Sequence, residues 1–382
     1  MYYFDNASTT KLKPKIMIEK MNDSLLNGCS PSRGGYRCAL NTSRDIYKTR
    51  KNIAKLFKCT KTRNVILTPG ATWSLNMALF GLINEGDHII TTSIEHNAVM
   101  RPLTYLQKNK GVKVSFTKHK NNGEIILESL ENQIRENTKM IIVNHASNIN
   151  GVVMPIKHIS EISKHRNILL VVDTAQTAGF LDIDLSHLSI DALAFTGHKS
   201  LLGPPGTGGL VLSQKAAEVI SPIIFGGTGS QSEKLSQPNN LPDRLESGTQ
   251  NYVGYSALGS SVEFLLKNGL KNVREHELKV FDRLKKGLSQ IKGINVIRSS
   301  NEEYVPTLSI TVDNIDMSNA SYILDNRYNI MVRSGLHCAP LAHKTLNTYP
   351  KGTIRFSVGY YNDLEEVDYV LEKMEDLVNV KY

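Results

Sequence analysis

The sequence predicts an α/β fold: a large domain on a mainly parallel seven-stranded sheet, followed by a smaller α+β C-terminal domain. From about Arg63 to Leu212, short apolar runs alternate with stretches of helical period, the pattern of a sheet whose strands are joined by helices. After the Gly/Ser/Pro-rich stretch Phe225–Pro242 the character changes to a long helical region and then sparse strands. At 382 residues the chain exceeds one ordinary core and suggests two or three domains.

The elements follow in order. The opening Met-Tyr-Tyr-Phe-Asp-Asn-Ala-Ser-Thr-Thr reads as a short strand and a turn, without the basic-then-apolar pattern of a secretory leader. Strands are expected at Val65–Thr68, His88–Thr91, Val112–Phe116, Met140–Val143, Leu169–Asp173, Ala192–Thr196 and Gly209–Leu212, with helices such as Trp73–Leu82 and Ile156–His165 between them. Beyond Pro242, a helical region is expected over Gly254–Lys292 and strands near Leu308–Val312, Ile330–Val332 and Thr353–Ser357. A last helix is expected at Leu364–Val378. No internal repeat or long low-complexity segment interrupts this order.

Composition narrows the function classes. Apolar residues are 40% and charged residues 21%, ordinary for a soluble globular protein. No run of 18 apolar residues occurs, so no membrane helix, no membrane partner and a cytoplasmic location are expected. The net charge is +9, but the lysines are scattered and no aromatics interleave with them, so nucleic acid is not an expected partner. The densest group, Lys108, Lys110, Lys113, Lys118 and Lys120, is expected across a loop and an edge strand. There it would discourage edge pairing or receive an acidic protein. Cys29, Cys38, Cys59 and Cys338 form no C-x-x-C pair and no metal-like spacing, which argues against a disulfide framework and against zinc.

In open α/β sheets, ligands collect at the carboxyl ends of the strands. Lys199 ends the run Ala-Phe-Thr-Gly-His-Lys after an apolar strand. A partly desolvated amine there can lose its proton near neutrality and hold pyridoxal phosphate as a Schiff base. Pro69-Gly70-Ala71-Thr72 opens a helix and offers N–H groups to a phosphate, or it is simply a turn with a helix cap. His96 is placed to stack on a ring, and Asn148 to bind a carboxylate or ring oxygen; both also suit ordinary loops. Asp173 ends the fully apolar strand Leu169–Val172. A carboxylate there calls for a cationic partner such as a protonated pyridine nitrogen, unless it caps the next helix. Gln176 is within reach of a ring substituent, and Thr196 and His198 of phosphate oxygens.

The C-terminal part adds Arg355, whose fork suits a carboxylate, and Cys338 in a Gly/Pro-bounded loop beside His337 and Arg333, a setting that favours a nucleophilic thiolate. A buried apolar cysteine and a surface ion pair remain open alternatives. The loop Gly203-Pro204-Pro205-Gly206-Thr207-Gly208 resembles the start of a phosphate-binding P-loop, but Gly209 and Leu210 stand where Lys and Ser/Thr are required. It reads instead as a turn that lets the backbone cross the sheet, which argues against a nucleotide-binding module.

The chain resembles the cysteine desulfurases of the NifS/SufS type, within the class V aminotransferase-like enzymes, over nearly its whole length. The likeness rests on Tyr3–Thr10, Gly70-Ala71-Thr72, Glu95-His96-Asn97, Asp173-Thr174-Ala175-Gln176, Thr196-Gly197-His198-Lys199, Glu246-Ser247-Gly248-Thr249 and Arg333–Cys338. The compact cysteine loop is similar to the SufS-like group. Ser32–Tyr36, Gly226–Ser230 and Leu341–Thr345 are similar to a further bacterial branch. Trp73 departs from the glutamate usual in the family, which puts local helix capping in question.

The resemblance implies a fold-type I homodimer with pyridoxal phosphate. It also implies division into residues 12–255 as the large domain and 1–11 with 256–382 as the small one. It implies Lys199, Cys338 and His96 as catalytic residues. Ala71, Thr72, His96, Asp173, Gln176, Thr196, His198 and Lys199 would bind the cofactor, with Thr249 reaching that of the partner subunit. Asn6, Asn148, Arg333 and Arg355 would bind the substrate. The implied reaction takes sulfur from L-cysteine to give L-alanine and a persulfide on Cys338 for a sulfur-acceptor protein. A selenocysteine lyase acting on L-selenocysteine, or another β-lyase or aminotransferase of the same family, would use Lys199 as well.

Overall fold

The structure is a computed structural model that describes residues 1–31, 34–297 and 303–379; of the stretch Ser32–Tyr36 singled out above, Ser32 and Arg33 lie outside the described residues. The chain begins with β1 (Tyr2–Tyr3), α1 (Lys15–Asn27) and α2 (Arg37–Leu56). There follow β2 (Val65–Thr68), α3 (Ala71–Leu82), β3 (His88–Thr92), α4 (Asn97–Lys110), β4 (Lys113–Thr117), α5 (Leu127–Glu131), β5 (Thr138–Asn144), α6 (Ile156–His165), β6 (Leu169–Asp173), β7 (Ala192–Thr196), β8 (Gly208–Leu212) and α7 (Gln214–Val219). The last part holds α8 (Tyr252–Asn268), α9 (Leu270–Leu288), β9 (Ile294–Ile297), β10 (Thr307–Val312), α10 (Met317–Tyr328), β11 (Ile330–Met331), β12 (Arg333–Gly335), α11 (Pro340–Thr345), β13 (Thr353–Ser357) and α12 (Leu364–Asn379).

Seven strands form one sheet in the order β2-β8-β7-β6-β5-β3-β4. It is parallel except for β8, which runs antiparallel to both neighbours. The Gly203–Gly208 turn makes that reversal, and glycine is required where β8 begins: a Cβ on Gly208 would stand 2.6 Å from the Gly70 Cα. The central strands are apolar throughout because both faces are covered. Leu169, Leu170, Val171 and Val172 are all buried, each contributing about 1.5–3 kcal/mol. β4 is an edge strand, as the lysine pattern suggests. Lys108 and Lys110, however, lie in the last turn of α4 rather than in a loop, where they suit the helix dipole.

The smaller sheet, β12-β13-β10-β9, is antiparallel. Its Leu308 and Phe356 pack against Val280, Phe281 and Leu284 of α9 and Met374 of α12, together with Phe4 from the N-terminus. The expected helical region over Gly254–Lys292 is two helices, because Gly269 takes a left-handed φ of 81° between them. α8 packs on α1 and α2, and its Leu258, Val262 and Leu265 join the core of the large sheet.

One expectation is corrected. Cys29 and Cys38 form a disulfide, with Cα atoms 5.7 Å apart. Cys29 follows the end of α1 and Cys38 lies in the first turn of α2, and how those helix ends meet is not revealed by spacing alone. Cys59 and Cys338 are free. Among the described residues there is no group of His, Cys, Asp and Glu able to hold a metal ion, and no helix long and apolar enough to cross a membrane.

Candidate active site

The carboxyl ends of β2, β3, β5, β6 and β7 open on a cavity of about 1040 Å³. Its walls include Ala71, Thr72, His96, Asn148, Asp173, Gln176, Thr196, His198, Lys199, Arg333, Cys338 and Arg355, so most of the expected residues converge. Two do not. The Asn6 amide donates to the Ser357 carbonyl at 2.9 Å and to Asn362 at 3.0 Å, outside the cavity wall. Thr249 is exposed in a turn and does not line the cavity.

Lys199 follows β7 and is half-buried at the cavity wall. Burial, helped by Arg355 and Arg333, lowers its amine to about 8, against the opposing pull of Asp173 and Asp5. Asp173 sits beside it at the end of β6, raised by burial and opposed by Lys199 and by a hydrogen bond that it accepts from the Ala175 N–H at 2.9 Å. No helix directly follows Asp173, so the expected alternative of a helix cap is not met; the bond closes a turn and leaves the carboxylate at the cavity. The peptide before Lys199 is pinned as well: the His198 carbonyl accepts from the Thr10 N–H at 3.0 Å and from Lys13 Nζ at 3.0 Å.

His96 caps α4. Its Nδ1 accepts from the Ala98 N–H at 3.0 Å, so the proton of the neutral ring belongs on Nε2. Burial first, then the cations Lys199, Arg355, Arg333 and Arg101, lower it to about 4, which keeps it neutral at physiological pH. Glu95, beside it, belongs to a motif noted in the sequence but not to the expected site. It is fully buried and raised to about 8. Its Oε1 accepts from Asn144 N–H at 2.9 Å and from Thr92 Oγ1 at 2.5 Å, which ties β3 to β5 below Asp173.

Cys338 is exposed. It and His337 both take left-handed backbone, with φ of 57° and 46°, a conformation that costs an L-residue about 1–2 kcal/mol. Hydrogen bonds hold the loop there. Asn97 N–H donates to the Cys338 carbonyl at 2.8 Å, and Asn148 Nδ2 to the His337 carbonyl at 2.8 Å. The Asn148 carbonyl in turn accepts from Arg355 Nη1 at 3.1 Å. Asn148 thus bridges the arginine and the cysteine loop.

The motif Glu246-Ser247-Gly248-Thr249 has a structural half. The Glu246 carboxylate accepts from both terminal nitrogens of Arg50 at 2.5 Å and from Leu67 N–H at 2.7 Å, with both side chains buried. This fork anchors the start of the turn to β2 and α2.

The aminotransferase class-V family pattern matches residues 2–370. The chain belongs to this family. Among curated relatives of this class V member, the probable cysteine desulfurase of Pyrococcus abyssi is 32% identical over 98% of this chain and 94% of its own length. That of Methanothermobacter thermautotrophicus is 30% identical over 99% and 95%. Among solved structures, the apo cysteine desulfurase of Thermococcus onnurineus superposes with a TM-score of 0.92 at 31% identity, covering 99% of this chain and 94% of that one.

Class V enzymes use pyridoxal phosphate, and the residues present fit it. A buried carboxylate faces a lowered amine across one cavity. His198 Nδ1, Asn148 Oδ1 and Arg355 Nε are buried without a hydrogen-bond partner, an expensive arrangement that a polar ligand relieves. α3 presents its N-terminus to the same space.

Proposed function

We propose that this chain is a pyridoxal phosphate-dependent cysteine desulfurase that takes sulfur from L-cysteine and leaves L-alanine. The observation that carries the reading is the meeting of Lys199, Asp173, Arg355 and the exposed free thiol of Cys338 on one cavity. The relatives named above support it.

When bound, pyridoxal phosphate supplies an aldehyde for the substrate amine and a ring that accepts electrons. Asp173 would hold a proton on the ring nitrogen. Thr72, Thr196, His198 and the N–H groups at Ala71 would hold the phosphate, Gln176 would meet a ring substituent, and His96, a neutral imidazole, would stack on the ring. Arg355 holds the substrate carboxylate, with Asn148 and Arg333 beside it. Lys199, an amine poised near neutrality, takes the α-proton. Cys338 Sγ attacks the substrate sulfur; the carbon–sulfur bond breaks with its electron pair left on carbon, which is protonated on the way to alanine. Cys338 keeps the sulfur as a persulfide for an acceptor protein. Thr249, exposed in the single chain, is assigned to the phosphate of a second copy in a homodimer.

Alanine release from cysteine, measured for the wild type and for Cys338→Ser, tests this. Undiminished release by the variant would remove the nucleophile. Undiminished alanine formation from selenocysteine by the same variant would instead support the lyase reading.

A further inference from the structure

Arg355 is almost wholly buried, and its charge is already matched inside the protein. Its Nη2 lies 2.8 Å from Asp5 Oδ1 and 2.6 Å from Ser8 Oγ. Ser8 Oγ donates to Asp5 Oδ1 at 2.7 Å and accepts from Arg333 Nη1 at 2.9 Å. Arg355, Arg333 and Ser8 line the cavity, but Asp5 does not. The carboxylate therefore stands behind the guanidinium and leaves the cavity side open, with Nε–H still unpartnered.

The N-terminal segment is built to keep Asp5 there. Tyr2 and Tyr3 pair with Ile330 and Met331, the Ser357 N–H donates to the Phe4 carbonyl at 2.7 Å, and Gln176 Nε2 donates to the Ala7 carbonyl at 3.1 Å. A guanidinium with no counter-charge would grip any carboxylate tightly. One backed by a fixed carboxylate keeps its geometry and loses much of its net attraction. Substrate and product both carry a carboxylate in the proposed reaction, so tight binding would hold both alike and slow release without favouring the chemical step.

We propose that Asp5 is a counter-carboxylate built behind Arg355: it orients the guanidinium and offsets its charge, so that the site holds substrate and product carboxylates loosely. This rests on Arg355 as the carboxylate anchor of the reaction assigned above. Asp5→Asn tests it, because the amide oxygen still accepts from Arg355 while the charge is gone. With the holoenzyme, the variant is expected to lower the KM for cysteine and the inhibition constant of alanine, each by about tenfold. Inhibition by 2-aminoethanethiol, which lacks the carboxylate, should stay within about twofold. Constants that rise or stay unchanged in the active variant overturn the proposal, as does an equal gain for 2-aminoethanethiol. If Asp5→Asn does not fold, Asp5→Ser removes the same charge and carries the same expectation. Calorimetric binding of alanine to each holoenzyme reads the same ratio independently of turnover. If the wild type releases no alanine from cysteine, the assigned reaction fails, and the calorimetric ratio still decides the role of Asp5.

Discussion

Lys199 and Cys338 face one cavity but are held differently. Lys199 lies in a bend just after a strand that has a hydrogen-bonded neighbour on each side, and the sheet together with hydrogen bonds from Thr10 and Lys13 to the His198 carbonyl places it. Cys338 stands in a short loop on consecutive left-handed residues, and specific side-chain and backbone hydrogen bonds from α4 and Asn148 place it. The amine is half-buried at the cavity wall and the thiol is open to solvent. A group that transfers a proton inside the site gains from rigidity and burial. A group that passes its cargo outward, as proposed for Cys338, must be reachable, and Cys338 is exposed although its loop is held by α4, Asn148 and Thr353.

The sharpest way to break this contrast is Lys199→Ala. It should reduce alanine release by on the order of a thousandfold or more, as measured in an assay with cysteine. Cys338→Ser should reduce release by about a hundredfold while cysteine binding, followed by calorimetry, persists; loss of binding would show that the two regions are not separable. Asn148→Ala leaves the His337 carbonyl without its partner, a penalty of about 1–3 kcal/mol. It should slow alanine release about tenfold and speed alkylation of Cys338, while the amine chemistry at Lys199 continues. Unchanged alkylation would show that the loop holds without this bond.

The smallest effect is on pH. The Lys199 amine, lowered to about 8 by burial, is reactive only when deprotonated. In protein depleted of cofactor, the rate of pyridoxal phosphate uptake should therefore climb as pH rises through about 8 and level off above. His96 and His198, lowered to about 4, are neutral over that range and add no inflection. A rate that kept climbing towards the range of an ordinary lysine would show that the amine is not desolvated.

The strand–helix alternation was legible in the sequence because apolar runs that are covered on both faces have few alternatives. Each expected strand of the large sheet begins and ends within two residues of the observed one. The candidate site was legible for the same reason: polar residues that follow buried strands collect at one end of the sheet. Asp5, Ser8 and Glu95 were visible only as parts of motifs. Their roles depend on partners far along the chain, such as Arg355 for Asp5 and Asn144 for Glu95. The Cys29–Cys38 bond is not legible in the sequence for a related reason, since it depends on how α1 and α2 meet.

The sequence by itself determined the α/β class, the order of the strands along the chain and a lysine, an aspartate and an arginine suited to one chemistry, because buried periodicity and residue type are local properties. Only the tertiary structure decided that Asp5 backs Arg355, that Asn148 holds the cysteine loop, and that Asn6 and Thr249 lie away from the cavity. Those are distances between segments, set by packing and by the need to pair each buried charge.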